Sequence, residues 1–239
     1  MSGPEHPALR VERRDAVAVW HLDDGKANAL STELIAALRI QLDAAEADPD
    51  VGAVVLHGRE GRFCAGFDLG VMRGGDPAAI SALVSDGGDL VRALYGAGVP
   101  VVAACTGHAL AAGALVLLGC DLRIGADVDA KIGLNEVAIG MVLPDWAITI
   151  AGERLSRRHL QLAVATARVA PPRDAAAAGF LDEVVSADAL LDTAIDQAAA
   201  LAASLDAGAY ARTVRALRTP VLDRMGEQIA ADRAGGVTP

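Results

Sequence analysis

From residue 99 to residue 120 the chain runs 22 residues without a formal charge. Such a stretch has to leave water, either into a bilayer or into a protein core. Pro100, Gly107, His108, Gly113 and Gly119 interrupt it, and alanine rather than leucine dominates it. A buried strand over residues 99–105, a turn over 106–110 and a buried helix over 111–118 therefore fit it better than a membrane span. A core that encloses such a unit needs neighbours of the same kind, and the rest of the sequence supplies them.

Upstream, residues 11–13 and 16–22 read as a hairpin around Arg14-Asp15, and Asp23-Asp24-Gly25-Lys26 as a turn. Ser31 then stands as an N-cap before Leu34, Leu38 and Leu42 at helical spacing, and Asp48-Pro49-Asp50 closes that helix. Residues 51–58 are apolar and β-branched, as in a buried strand. Residues 80–95 have helical spacing, and 122–126 read as a further strand. This alternation predicts an α/β fold with a parallel sheet covered by helices. Beyond Pro144 the pattern turns helical over residues 148–155, 159–167, 173–178, 189–205 and 210–230, with a short extended piece at 181–185 and a frayed end at 235–239. There is no repeat and no separating linker, so one continuous fold is expected. Its α/β core covers residues 1–190 and its helical C-terminal region 191–239.

Composition narrows the partners. The chain carries a formal charge of −10 and is 53% hydrophobic but only 3% aromatic, so small aliphatic side chains fill the core. Nucleic acid and anionic membranes require a clustered basic face, which this balance argues against. The first fifteen residues are polar and lack a charged segment followed by an apolar one. The cytoplasm is thus the expected location. Cys64, Cys105 and Cys120 lie in apolar surroundings without metal-ligand spacing and read as inert thiols. The five histidines form no ligand pattern, and no metal is expected.

Two stretches carry chemistry. One is Arg62-Phe63-Cys64-Ala65-Gly66-Phe67-Asp68-Leu69; the other runs from Gly107 through Ala111-Ala112-Gly113 to Asp121. Each reads as a strand, a tight small-residue turn and a helix. Two such turns facing each other can aim backbone N–H groups at one oxygen, the arrangement that stabilises an enolate or tetrahedral anion. Gly107 and Gly113 would allow close backbone approach.

These motifs, with Asp24-Gly25-Lys26-Ala27-Asn28-Ala29-Leu30 before them and Ala178-Gly179-Phe180-Leu181-Asp182-Glu183-Val184-Val185 after them, resemble the crotonase (enoyl-CoA hydratase/isomerase) superfamily over nearly the whole chain. The resemblance implies a ββα spiral of stacked sheets with a helical C-terminal trimerisation region, assembled as trimers or dimers of trimers. It implies acyl-CoA thioesters as substrates, no permanently bound cofactor, and an enolate held by the N–H groups of Phe67 and Ala112. Ala65 would offer its carbonyl to the adenine amino group. Lys26, Ala27, Ala29, Gly66 and Leu69 fall in segments that line the coenzyme A. Lys26 reads equally as a solvated lysine, and Asp68 either caps the helix after the turn or touches ligand. The stretch 71–94 would help shape the acyl pocket.

Hydratases of this family use two glutamates. One is matched by Glu136, within Leu134-Asn135-Glu136-Val137-Ala138-Ile139-Gly140; the other position, three residues after Ala112, holds Leu115. Apolar neighbours would raise the pKa of Glu136 and make it a base. One carboxyl suits a proton shuttle from C2 to C4 of a 3-enoyl-CoA, which resembles the single-glutamate isomerases in fatty-acid metabolism. Two alternatives stand beside it. One is a hydratase in which Asp145 or another acid replaces the missing glutamate; the other is an acyl-CoA binder without turnover. An Asp after Pro144 also reads simply as the cap of the next helix.

Overall fold

The computed structural model describes residues 6–235. The hairpin forms as its alternation predicts: β1 (Leu9–Arg14) pairs antiparallel with β2 (Val17–Leu22), Leu9 opposite Leu22, across Asp15 at φ 51°. The strands β3 (Ala53–His57), β5 (Val101–Cys105), β7 (Leu122–Ala126) and β9 (Glu183–Val185) extend the sheet in parallel, in the order β1-β2-β3-β5-β7-β9. All five residues of β5 are buried. A strand covered on both faces has no polar side, which is why the sequence there is continuously apolar.

A second, three-stranded parallel sheet has the order β4-β6-β8, formed by β4 (Gly61–Cys64), β6 (Gly107–Leu110) and β8 (Ile132–Gly133). The chain passes from β3 to β4, from β5 to β6 and from β7 to β8. Each pass gives one strand to each sheet before a helix returns the chain. This ββα spiral places the ends of β4, β6 and β8 side by side.

The returning helices are α1 (Thr32–Ala47), a short α2 (Leu69–Met72), α3 (Pro77–Gly96), α4 (Ala112–Gly119) and α5 (Asp145–Arg154). Then follow α6 (Arg157–Val164), α7 (Pro172–Ala178), α8 (Leu190–Ser204) and α9 (Ala207–Gly235). Ser31 caps α1 by accepting from the Leu34 N–H. Leu190, Ala194 and Ala198 of α8 cover one face of the large sheet, against Val19, Val55, Val102 and Ile124; the main core fills the other. The long α9 packs on α3 and α5. Arg218 and Tyr210 tie it to the core through the Asp121 carboxylate, at 2.7 and 3.0 Å.

One expectation changes. Residues 106–110 are not a turn: Gly107–Leu110 is a strand paired on both sides, Gly107 opposite Gly61 and Leu110 opposite Gly133. Gly107, which breaks the apolar run in sequence, is there because a Cβ would fall 2.2 Å from the Gly61 carbonyl carbon. Of the frayed end expected over 235–239, only Gly235 is among the described residues, and it is helical, closing α9. The three cysteines are free and buried, and burial pushes each thiol up to about 12. Among the described residues no helix is long and apolar enough to cross a membrane.

Candidate active site

The loop over residues 23–30 builds the first turn. The Asp24 carboxylate accepts the N–H groups of Lys26, Asn28 and Ala29, which winds the loop tightly. Asn28, buried and at φ 51°, donates its amide to the carbonyls of Leu22 (2.9 Å), Arg62 (3.2 Å) and Phe63 (3.2 Å). That one side chain fastens β4 to the loop. Leu30 then donates to the Gly66 carbonyl at 2.9 Å and accepts from the Asp68 N–H at 3.0 Å. Both bonds skip Phe67, whose own N–H faces away from Leu30.

The second turn opens α4. Ala111 sits at φ 50°, ψ −125°, a conformation that L-residues avoid and that costs on the order of 1–3 kcal/mol. Its N–H is held by the Gly133 carbonyl at 3.1 Å, and its own carbonyl takes the N–H groups of Ala114 and Leu115. Ala112 is the first helical residue, where an N–H has no partner within the helix. The strain rests on Ala111, one residue before the expected donor.

The glycines show that the two turns meet. A Cβ on Gly66, at φ 102°, would lie 3.2 Å from the Ala111 Cβ and 3.7 Å from the Ala112 nitrogen. A Cβ on Gly113 would lie 2.1 Å from the Cys64 carbonyl oxygen. The first turn of α4 therefore lies directly on the end of β4, and only glycine at residue 113 permits it.

Beside the turns opens a cavity of about 260 Å³, lined by Ala65, Phe67, Leu69, Met72, Arg73, Val84, Leu110, Ala111, Leu115, Asn135, Glu136, Ile139, Met141, Val142, Pro144 and Trp146. Glu136 and Arg73 are its only titratable lining residues. Glu136 follows β8 and opens the 3₁₀ turn Val137–Ile139; its carbonyl takes the N–H groups of Ile139 and Met141. The backbone is fixed while the side chain is left unengaged. Glu136 is 7% exposed, and its Oε2 is buried without a hydrogen-bond partner. Burial pushes its pKa up to about 7, against a smaller opposing pull from its own backbone N–H. A carboxyl poised there exchanges protons near neutrality.

The remaining sequence-derived candidates divide. Ala65 and Leu69 line the cavity, but Lys26, Ala27, Ala29, Gly66, Asp68 and Ala112 do not. Lys26 is exposed, and its carbonyl accepts from Arg59 at 2.6 Å. Ala27 accepts from the Ala65 N–H at 3.0 Å. Asp68 caps α2, its carboxylate taking the Gly70 N–H at 2.6 Å. Leu115 is buried on the cavity wall, where a second acid would have stood. Asp145 is not the cap expected from the sequence: Pro144 holds that position without a side-chain bond, and Asp145 is exposed in the first turn of α5 and does not line the cavity. The stretch 71–94 contributes Met72, Arg73 and Val84. Spacing missed Met141, Val142 and Trp146, and gave no role to Asn28. The only sequence sign of Asn28 was a polar residue inside a loop motif.

A family model described as enoyl-CoA hydratase/isomerase matches residues 12–235. The human mitochondrial enoyl-CoA delta isomerase 1 is 33% identical over 81% of this chain, and the match spans 65% of that protein's length. A Thermus thermophilus protein named a putative enoyl-CoA hydratase is 32% identical over 78% of this chain and 74% of its own. The crystal structure of an enoyl-CoA hydratase/isomerase family protein from Pseudomonas syringae superposes with a TM-score of 0.91 at 37% identity, covering 95% of this chain and 97% of that one. The spiral of paired sheets, the two facing turns and the ordered motifs have one common explanation: the chain belongs to the enoyl-CoA hydratase/isomerase family.

Proposed function

We propose that this chain is an enoyl-CoA isomerase that converts a 3-enoyl-CoA into the 2-enoyl-CoA with Glu136 as the only proton carrier. The observation that carries the reading is the single carboxyl in the cavity, with one oxygen buried and unpartnered, in a lining that also holds Leu115. The thioester oxygen would rest between the N–H groups of Phe67 and Ala112. Glu136 takes a proton from C2, and the C–H electron pair moves into a dienolate whose negative charge sits on that oxygen. The pair returns through the C3–C4 double bond, C4 takes the proton back from Glu136, and the double bond now lies between C2 and C3. No water is consumed. Leu115 and the apolar walls keep water out, which protects the dienolate and strengthens the two hydrogen bonds.

Hydration by the same site would need a second group to hold and activate the water. Asp145 is too exposed and lies outside the cavity. The test is direct: with 3-enoyl-CoA the protein should form 2-enoyl-CoA at an enzymatic rate, and with 2-enoyl-CoA it should form little 3-hydroxyacyl-CoA. Hydration matching or exceeding isomerisation would overturn the assignment.

The pH dependence follows from the same carboxyl. Glu136 acts first as a base, so kcat/KM should rise about tenfold per pH unit below about 7 and level off above it. Stability runs the other way. The folded-state pKa of about 7 exceeds the ordinary 4.5, so between those values the folded chain binds more protons than the unfolded one. Stability therefore falls as pH rises through this window, by about 3 kcal/mol when the shift is fully expressed. Denaturant titrations at pH 5 and pH 8 should show it as a difference: relative to Glu136→Gln, the wild type should lose about 2–3 kcal/mol between the two, a comparison that cancels the opposite contribution of the half-buried His57, whose pKa is held down at about 4.

A further inference from the structure

The cavity has a wet end and a closed end. Leu69, Ile139 and Val142 at its lip are 54%, 58% and 60% exposed, whereas Val84, Leu115 and Trp146 at the other end are 3%, 1% and 0% exposed. Resting on the acyl-CoA reading above, we propose that Trp146 is the floor of the acyl cavity and sets the longest chain it accepts, and that Gly88 fixes the height of that floor.

Trp146 is placed by what lies behind it. A Cβ on Gly88 of α3 would come within 2.9 Å of Trp146 Cε2 and 3.0 Å of Ile229 Cγ1 on α9. The Cε2 edge of the indole is thus pressed into the junction of α3 and α9, while the residue lines the buried end of the cavity. The neighbouring Gly87 seats the other aromatic lining residue in the same way, since its Cβ would meet the Phe67 ring at 2.3 Å. Two adjacent glycines in the middle of a helix weaken that helix. Here they form a bare strip that holds both rings. Trp146 Nε1 is buried without a hydrogen-bond partner among the described residues.

The size sets the expected length. An apolar cavity of about 150 Å³ accommodates the six carbons of benzene, so about 260 Å³ takes roughly ten carbon-sized atoms. That is an octanoyl group with its thioester.

The test is calorimetric titration of the whole chain with butanoyl-, octanoyl-, dodecanoyl- and hexadecanoyl-CoA, saturated thioesters that bind without reacting. In the wild type, affinity should rise from butanoyl to octanoyl and fall at dodecanoyl. Trp146→Leu lowers the floor and should tighten dodecanoyl-CoA binding about tenfold, the equivalent of two buried methylenes, with butanoyl-CoA unchanged. Gly88→Ala does not touch ligand. By pushing the indole into the cavity it should weaken octanoyl-CoA about tenfold, again sparing butanoyl-CoA. Alanine suits a helix better than glycine, so this variant keeps the test intact even if Trp146→Leu folds poorly. If both folded variants keep the wild-type length profile, the floor is elsewhere and the proposal falls while the acyl-CoA reading stands. If wild type binds no thioester of any length, the acyl-CoA reading itself fails and takes the floor with it.

Discussion

Replacing Glu136 by glutamine should lower kcat for isomerisation by about 10²–10⁴, the range that a positioned acid–base group contributes. The upper end is expected, because among the described residues no other acid lines the cavity and could take over. Glutamine matches the carboxyl in shape, so the cavity and the two N–H donors stay in place and the affinity for a saturated acyl-CoA should change little. A second readout isolates the step: with substrate deuterated at C2 the wild type should carry the label to C4 of the product, and the variant should not. The protein should remain folded and, at pH 8, be more stable than wild type, since it no longer buries a charge without a partner. Isomerisation by Glu136→Gln at the wild-type rate would remove Glu136 from the chemistry.

Gly113→Ala is the second large effect, and it acts through the backbone. The added methyl would fall 2.1 Å from the Cys64 carbonyl oxygen and 2.7 Å from its carbon, atoms of β4 that cannot rotate away. The start of α4 must lift from β4, carrying the Ala112 N–H away from the oxygen it should meet. Overpacking of this kind costs typically about 1–3 kcal/mol, and loss of one such donor costs about 10²–10³ in kcat. The two parts can be read separately. Thermal unfolding reports the first, and kcat under folded conditions reports the second, with the Glu136 side chain itself unaltered. A variant that is destabilised yet fully active would show that the Ala112 N–H is not a donor to the reacting oxygen.

What could be read before the structure differs from residue to residue, and the differences have physical causes. Glu136 was legible because a lone acid among apolar neighbours is costly and needs a reason. The missing second acid was legible because Leu115 falls at a set distance from Ala112 along one helix. Residues 106–110 were misread because Gly107 and the polar Thr106 and His108 look like a turn locally. Pairing with Gly61–Cys64 and Ile132–Gly133 outweighs that local preference. Trp146 was hidden for a related reason. Pro144-Asp145-Trp146 announces the start of a helix, and nothing in it says that the indole closes a cavity built from α3, α4 and the loop after β8. Gly87 and Gly88 look like defects in a helix until Phe67 and Trp146 are seen against them.

The sequence by itself determined the alternation of strands and helices, the order of the two small-residue turns and the presence of Leu115 three residues after Ala112. Those depend on periodicity, spacing and residue type, all of which are properties of neighbours along the chain. Only the tertiary structure decided that the turns touch, that Ala111 carries the strain, that Asp145 is outside the cavity, and where the cavity ends. Each of these depends on contacts between segments tens of residues apart, such as Gly113 on Cys64 or Trp146 on Gly88. The close approach of backbones at such contacts leaves only a glycine in the sequence, and a glycine alone does not say what it makes room for.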